Sequence, residues 1–249
     1  MKIDELFKTD NSLSGITDAD YISAMHQIEN TEAFCRLSCQ AVYVIDLYKK
    51  EILRACGDFT HLYGMSHEDV MKEGLSLYMS HIPFEDLTIL RDIHEMASSF
   101  CGSLPEAVQT QCTCHCDLRI KNGSKYRLVH HQATPLLTIN GRPWIVMCTI
   151  SFSSNDSAGN LCVKINGTRT IYKCALDSLS WKKQELPPLR DLERDIIILS
   201  TQGKTMKEIA KTLCKSEDTI KACKRELFRK CGTKNIQQTI QFVLNYKLL

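Results

Sequence analysis

The chain has 249 residues, of which 43% are hydrophobic and 24% are charged, as in an ordinary folded protein large enough for two domains. No stretch approaches the roughly eighteen apolar residues of a membrane span, and the first residues have neither the basic head nor the apolar core of a secretion signal. We therefore expect a cytoplasmic protein with no membrane partner.

The net charge of +2 is distributed unevenly along the chain. Residues 187–249 contain thirteen Lys or Arg and seven Asp or Glu, which gives +6, whereas the remainder carries −4. A basic module at the end of an acidic body indicates a polyanionic partner for that module.

Residues 1–33 are predicted to form an N-terminal helical segment. Tyr21, Met25, Ile28 and Ala33 recur at helical spacing within residues 18–36. The stripe suits packing against the rest of the protein and pairing between two protomers equally well, so both roles stay open.

Residues 34–153 show the short apolar runs and turn signals of a β-rich domain with a helical middle. A polar turn at Lys49 and Lys50 separates the first two predicted strands, and Asn122-Gly123 is a strong hairpin signal between two later ones. The predicted elements are two strands within 41–57, a short helix at 59–63, a longer helix at 83–100, and three strands at 111–121, 125–137 and 144–152.

This order of elements resembles a PAS domain. The resemblance implies an α+β fold in which a PAS-like five-stranded antiparallel sheet has flanking helices, and it implies a sensory or dimerising role, often with a small ligand held between sheet and helices. No cofactor is predicted. His94 lies on the long helix where some PAS sensors bind haem, but a single helical histidine is more often a packed or surface residue.

The thirteen cysteines are odd in number and irregularly spaced, and nothing indicates export, so reduced thiols are expected rather than a disulfide framework. On a strand, Cys112, Cys114 and Cys116 share one face while His115 points to the other, and their spacing lacks the two-residue gap of most zinc sites. We therefore predict no metal site.

Residues 154–186 are predicted to be a linker with a β-hairpin around Asn166-Gly167. Trp181 is a candidate anchor before the C-terminal module. The hairpin suits coupling of the body to that module and simple spacing of the two, and the sequence does not distinguish these roles.

Residues 187–249 carry the start and stop signals of four helices. Gly203 suits the left-handed position after the first helix. Thr205 and Glu208 form a capping box at the start of the second, and Ser216 can cap the third after a very short turn. The predicted helices span 189–202, 205–213, 216–231 and 235–247.

The third of these helices has one apolar and one basic face. Ile220, Cys223 and Leu227 recur at spacing three and four, which leaves the Lys and Arg residues off that seam. In an isolated helix such a basic face is usually only solvated. The alternative is contact with the phosphates and base edges of DNA.

The whole segment, in register over residues 189–240, resembles the LuxR-type (GerE-like) helix-turn-helix family. The matching positions are Leu189, Glu193, Gly203, Lys207, Glu208, Ile209, Ala210, Leu213, Ser216, Thr219, Ile220, Lys221 and Lys230. The resemblance implies an all-α four-helix domain whose third helix enters the major groove of double-stranded DNA. Bases would face Lys221, Ala222 and Arg225. The implied phosphate contacts are Thr205, Lys207, Thr219, Lys224 and Lys230.

Three residues depart from the pattern of this family. Lys215 replaces an apolar turn residue, Cys223 stands where histidine is common, and Cys231 replaces a leucine. These departures bear on the target sequence and the stability more than on the fold.

The last helix carries a broad apolar stripe. Its members are Ile236, Ile240, Val243 and Leu244. In the LuxR-type family such a helix commonly makes the dimer contact, and packing against the first helix of the domain is the alternative.

These patterns predict a sequence-specific DNA-binding regulator of transcription, controlled by a PAS-like sensory or dimerisation domain. The expected partners are double-stranded DNA, a second copy of the chain and RNA polymerase. The alternative is a thiol- or metal-based redox sensor with secondary DNA contact. No enzyme is predicted, because no nucleophile and base fall in a recognised motif and no glycine-rich phosphate loop is present.

Overall fold

The computed structural model describes residues 1–7, 13–37 and 40–249. The chain divides into two compact units, Met1–Gln184 and Glu185–Leu249. In the parts of the chain so described, no helix has both the length and the apolar character needed to cross a lipid bilayer.

The first unit combines one large sheet with helices, as the α+β prediction requires. Its helices are α1 (Ile3–Leu6), α2 (Asp18–Leu37), α3 (Thr60–Tyr63), α4 (His67–Glu73), α5 (Ser76–His81), α6 (Phe84–Gly102) and α7 (Glu106–Gln109). Its strands are β1 (Ala41–Asp46), β2 (Glu51–Cys56), β3 (Cys112–Asn122), β4 (Lys125–Ile139), β5 (Arg142–Phe152), β6 (Gly159–Ile165), β7 (Thr170–Ala175) and β8 (Ser180–Glu185).

The sheet has eight strands rather than the five predicted, in the order β2-β1-β5-β4-β3-β6-β7-β8. The pairs from β2 to β7 are all antiparallel. The extra strands come from residues 159–185, because β6 pairs along β3 and satisfies the backbone groups that an edge strand leaves unpaired. The five predicted strands and the helices between the second and third are present in the expected order.

Both faces of the sheet are covered around β1, which is why every residue of that strand is buried. Tyr43 and Ile45 face the main core beneath α6, whereas Val44 packs with α2 on the opposite face. Alternate residues of a strand point to opposite sides, so a strand between two layers reads as a continuous apolar run.

Helix α2 packs on the body through Ala24 and Ile28, each 1% exposed. Met25, which the helical spacing placed on the same stripe, is instead 39% exposed. The Tyr21 hydroxyl donates a hydrogen bond of 2.6 Å to the buried Asp46 carboxylate. The packing role left open for this helix is therefore present in the structure.

One expectation about the cysteines is wrong. Cys35 at the end of α2 and Cys56 at the end of β2 form a disulfide. Nothing in the spacing of these two residues marked them as a pair, because the packing of α2 against the sheet brings them together.

The second unit contains the four predicted helices, α8 (Asp191–Thr201), α9 (Met206–Thr212), α10 (Glu217–Cys231) and α11 (Ile236–Asn245). They enclose two small apolar clusters. Ile196, Ile209 and Ile220 lie in one, and Ile197 and Leu227 lie in the other. Each of these five side chains is completely buried. Helix α10 contributes Ile220 to one cluster and Leu227 to the other, so its apolar face packs against both.

Candidate functional site

Helices α9 and α10 are joined by a tight turn whose geometry follows from the residues around it. Thr205 caps α9 by accepting a hydrogen bond from the Glu208 backbone N–H, and the Glu208 carboxylate accepts one of 2.7 Å from the Thr205 N–H in return. Cys214 adopts a positive φ of 51°, which reverses the chain. Ser216 then caps α10 by accepting from the Thr219 N–H at 3.1 Å. These bonds satisfy N–H groups that a helix start leaves open.

Helix α10 presents two chemically different faces, as its sequence predicts. Ile220 and Leu227 are completely buried, and Cys223 is 7% exposed. Lys221 and Arg225 are exposed on the other side, with the small Ala222 beside them. A short side chain between two cations leaves room for a close approach to a groove floor, while guanidinium and ammonium groups can bond phosphates or guanine edges.

The residues predicted to touch phosphates do not share one environment. Thr205, Lys207 and Thr219 are exposed. Lys224 is half-buried, and its partial burial lowers its pKa. Binding a phosphate removes water from the lysine ammonium. This loss of hydration costs less free energy for a lysine that is already partly buried than for a fully hydrated one.

The Lys230 ammonium is paired with a carboxylate of the same domain. Its ammonium lies 2.9 Å from both carboxylate oxygens of Glu193, whose side chain is 0% exposed, and the Lys230 side chain is only 20% exposed. The Arg190 guanidinium bonds the same carboxylate at 2.8 Å. We therefore remove Lys230 from the proposed phosphate contacts, because its charge neutralises a buried carboxylate.

The ion triad Arg190–Glu193–Lys230 is the feature of this domain that the sequence reasoning missed. The one available signal was the spacing of Arg190 and Glu193, which matches a capping box in which Glu193 accepts from the Arg190 N–H at 2.8 Å. The approach of Lys230 from α10 depends on how α8 and α10 pack, and no local pattern shows it.

Stability of the second unit should fall in acid because of Glu193. Burial raises the pKa of its carboxyl, but the bonds from Arg190 and Lys230 outweigh burial and leave the pKa below its ordinary value of 4.5. A depressed folded-state pKa contributes stability that is present above the unfolded value and lost as pH falls through the folded value. We therefore expect Glu193→Gln to flatten the dependence of the urea midpoint on pH between about 5 and about 3. An equally steep dependence in the variant would contradict this role.

The four residues of α11 that were predicted to make the dimer contact differ in exposure. Val243 is completely buried in the apolar cluster with Ile197 and Leu227, so it cannot contact a partner, and that assignment is wrong. Leu244 is 54% exposed, and Ile236 and Ile240 are half-buried. The stripe is broader than one face of the helix, since consecutive residues point about 100° apart.

The first unit holds a cavity of about 650 Å³ between α6 and the sheet. That volume lies within the range of small-molecule sites. Cys112, Cys114 and Cys116 all line it, as the strand geometry predicts, while His115 lies on the other face, 3.2 Å from Nε2 of His130.

Two histidines at this cavity are uncharged at neutral pH. Burial lowers the pKa of His94 to about 4 and that of His131 to about 3. His94 Nδ1 donates to the Leu6 carbonyl at 3.0 Å, and the Tyr43 hydroxyl is hydrogen-bonded to His131 Nε2 at 2.6 Å. The cavity lining is mainly apolar, and it also includes the charged residues Glu5, Arg91, Glu95 and Arg142. Such a lining suits a small molecule that is largely apolar and carries a few polar groups.

Comparison with known families supports the interpretation of the second unit. Residues 188–243 match the family described as bacterial regulatory proteins, luxR family. The resemblance drawn from the sequence is thereby confirmed, and these residues form a LuxR-type helix-turn-helix domain. No curated protein matches the chain.

Several solved structures are distantly similar to the chain. It is 16% identical to the protein in a phage VqmA–DPO complex, covering 92% of this chain and 93% of that one, with a TM-score of 0.37. It is 15% identical to VqmA in a Vibrio cholerae VqmA–ligand–DNA complex, covering 88% and 86%, with a TM-score of 0.31. A PAS domain from Colwellia psychrerythraea is 14% identical, covering 51% of this chain and 97% of that one, with a TM-score of 0.36.

Proposed function

We propose that this protein is a sequence-specific DNA-binding regulator of transcription in which α10 reads the major groove. The observation that carries the proposal is the exposed face of α10, where Lys221, Ala222 and Arg225 lie opposite a buried apolar seam. The family match to residues 188–243 supports the same function. Lys207, Thr205, Thr219 and Lys224 are the proposed phosphate contacts.

The protein acts as a homodimer in this proposal, because two copies are needed to read two half-sites about one helical turn apart. Leu244 supplies exposed apolar surface for the contact, and Ile236 and Ile240 lie beside it on α11. The first unit acts as the sensory domain, with its cavity as the place for a small, largely apolar ligand. Bound at a promoter, such a dimer acts on RNA polymerase.

The decisive experiment is selection of bound sequences from random duplex DNA by the full-length protein, repeated with Arg225→Ala. We expect an enriched palindromic site. The variant should lose roughly 1 to 3 kcal/mol at one base position of each half-site and relax the preference there.

Two further variants distinguish recognition of bases from sequence-independent attraction to the DNA phosphates. Lys207→Ala should weaken binding to all sequences alike and reduce the slope of log affinity against log salt by about 1, because one phosphate contact is lost. Lys247→Gln removes the same charge from the segment after α11 and serves as the matched control. If Arg225→Ala keeps both the affinity and the base preference of the wild type, the docking of α10 is wrong.

A further inference from the structure

His94 lies in the middle of α6 and borders the cavity of the first unit. Its Nδ1 atom is 3.0 Å from the carbonyl oxygen of Leu6. A carbonyl oxygen only accepts hydrogen bonds, so Nδ1 carries a proton. A neutral imidazole has one proton on its two nitrogens, and Nε2 of His94 is then an acceptor with a free lone pair.

The imidazole of His94 is neutral under ordinary conditions. Burial lowers its pKa to about 4, and the bond to the Leu6 carbonyl, which acts in the opposite direction, does not offset this effect. At pH 7 only about one His94 side chain in a thousand is therefore protonated. The acceptor on Nε2 is present in almost every molecule.

Nε2 of His94 has no hydrogen-bond partner within residues 1–7, 13–37 and 40–249. The atom nevertheless keeps some accessible surface, and the open space that His94 borders is the cavity. An acceptor that faces a mainly apolar space without a partner costs free energy, which a bound donor recovers.

The N-terminal segment fixes the orientation of the His94 ring. Leu6, whose carbonyl binds Nδ1, is 1% exposed, and Phe7 is 8% exposed. The Phe7 ring centroid lies 4.6 Å from that of His94. A ring held at Nδ1 and against one neighbour is already oriented before a ligand arrives, so binding loses little side-chain entropy.

Other polar side chains at the cavity already bond neighbouring groups. Tyr78 and His131 line the cavity, and both are hydrogen-bonded to the Tyr43 hydroxyl. The Arg91 guanidinium pairs with the Asp92 carboxylate at 2.7 Å. A ligand that contacts these groups exchanges one hydrogen bond for another, whereas at His94 it adds a bond.

We propose that Nε2 of His94 anchors the ligand of this cavity, and that the ligand is a largely apolar small molecule carrying an N–H or O–H donor. This inference rests on the proposed sensory role of the first unit and not on the reading of DNA by α10. A carboxylate brings no proton at neutral pH and would face the Nε2 lone pair, so the site selects against it.

The test compares indole with benzofuran, two bicyclic molecules of the same shape that differ in a ring N–H and a ring oxygen. Calorimetric titration of the full-length protein without DNA measures both affinities. Indole should bind about threefold to tenfold more tightly, which is the net contribution of one hydrogen bond.

His94→Phe keeps a ring at this position and removes both nitrogens. The variant should lose the preference for indole and keep its affinity for benzofuran. Ser98→Ala removes a hydroxyl that lines the cavity one turn further along α6, and this matched control should keep the preference. Equal affinities of the two probes for the wild-type protein would overturn the proposal.

Nitrogen NMR of protein labelled with ¹⁵N-histidine gives a readout that does not depend on any variant folding. The free protein should show His94 protonated on Nδ1, and indole but not benzofuran should shift the Nε2 resonance. A proton on Nε2 in the free protein contradicts the proposal.

The two titrations also distinguish failure of this inference from failure of the sensory role. If neither probe binds, the cavity is not a site for small apolar ligands, and both the sensory role and the inference fail. If both probes bind equally and His94→Phe changes neither affinity, only the assignment of His94 fails.

Discussion

Glu193→Ala is expected to destabilise the second unit by about 3 kcal/mol, near the lower end of the cost of breaking a buried ion pair. The carboxylate is 0% exposed and accepts from Arg190 and Lys230, so its removal leaves two cations that have lost their partner. The cost lies at the lower end because the Arg190 side chain is 61% exposed and can be hydrated. The variant also loses the hydrogen bond that the Arg190 N–H donates to the Glu193 carboxylate at the start of α8.

Hydrogen exchange in the full-length protein measures this loss, because amides of α8 to α11 report the opening free energy of their own unit. Glu226→Ala is the matched control. Glu226 also pairs with an arginine, Arg229, but on the surface of α10, where such a pair contributes at most about 1 kcal/mol. Equal effects of the two substitutions would show that the buried triad has no special role.

Val243→Ala is expected to cost about 2 kcal/mol of stability, because two buried methyl groups are lost and a cavity remains beside Leu227. Leu244→Ala, one residue further along α11, should change stability by less than about 0.5 kcal/mol, since its side chain is 54% exposed. The two neighbouring substitutions therefore separate packing within one copy from contact between copies.

Sedimentation equilibrium supplies the second readout for this pair. Leu244→Ala should weaken the homodimer and, with it, binding to a palindromic site, while the fold stays intact. A dimer affinity unchanged by Leu244→Ala would remove α11 from the proposed dimer contact. A greater loss of stability from Leu244→Ala than from Val243→Ala would contradict the burial described above.

The helices of the second unit could be predicted from the sequence because their signals are local. The Thr205–Glu208 capping box and the Ser216 cap act within one turn of helix, and the structure contains both. Gly203, predicted as the left-handed residue after the first helix, has a φ of 76°. The seam of Ile220, Cys223 and Leu227 is buried as its spacing indicates.

The features that could not be predicted depend on contacts between distant segments. In the sequence, Lys230 and Lys221 are both lysines of the same helix, and nothing local distinguishes them. Lys230 pairs with Glu193 only because α10 packs against α8. Val243 and Leu244 belong to one apolar stripe, and the neighbouring helices decide which of them is covered. The disulfide between Cys35 and Cys56 has the same origin, since α2 must first pack on the sheet.

The sequence by itself determined the helix-turn-helix, the basic face of α10 and the strand–helix–strand order of the first unit. These depend on periodicity, capping and turn residues, whose energies act over a few neighbouring positions. The tertiary structure alone decided the eight-stranded sheet, the ion triad around Glu193 and the pairing of Cys35 with Cys56. In each of these cases the partners are far apart along the chain, and only the burial of apolar surface brings them together.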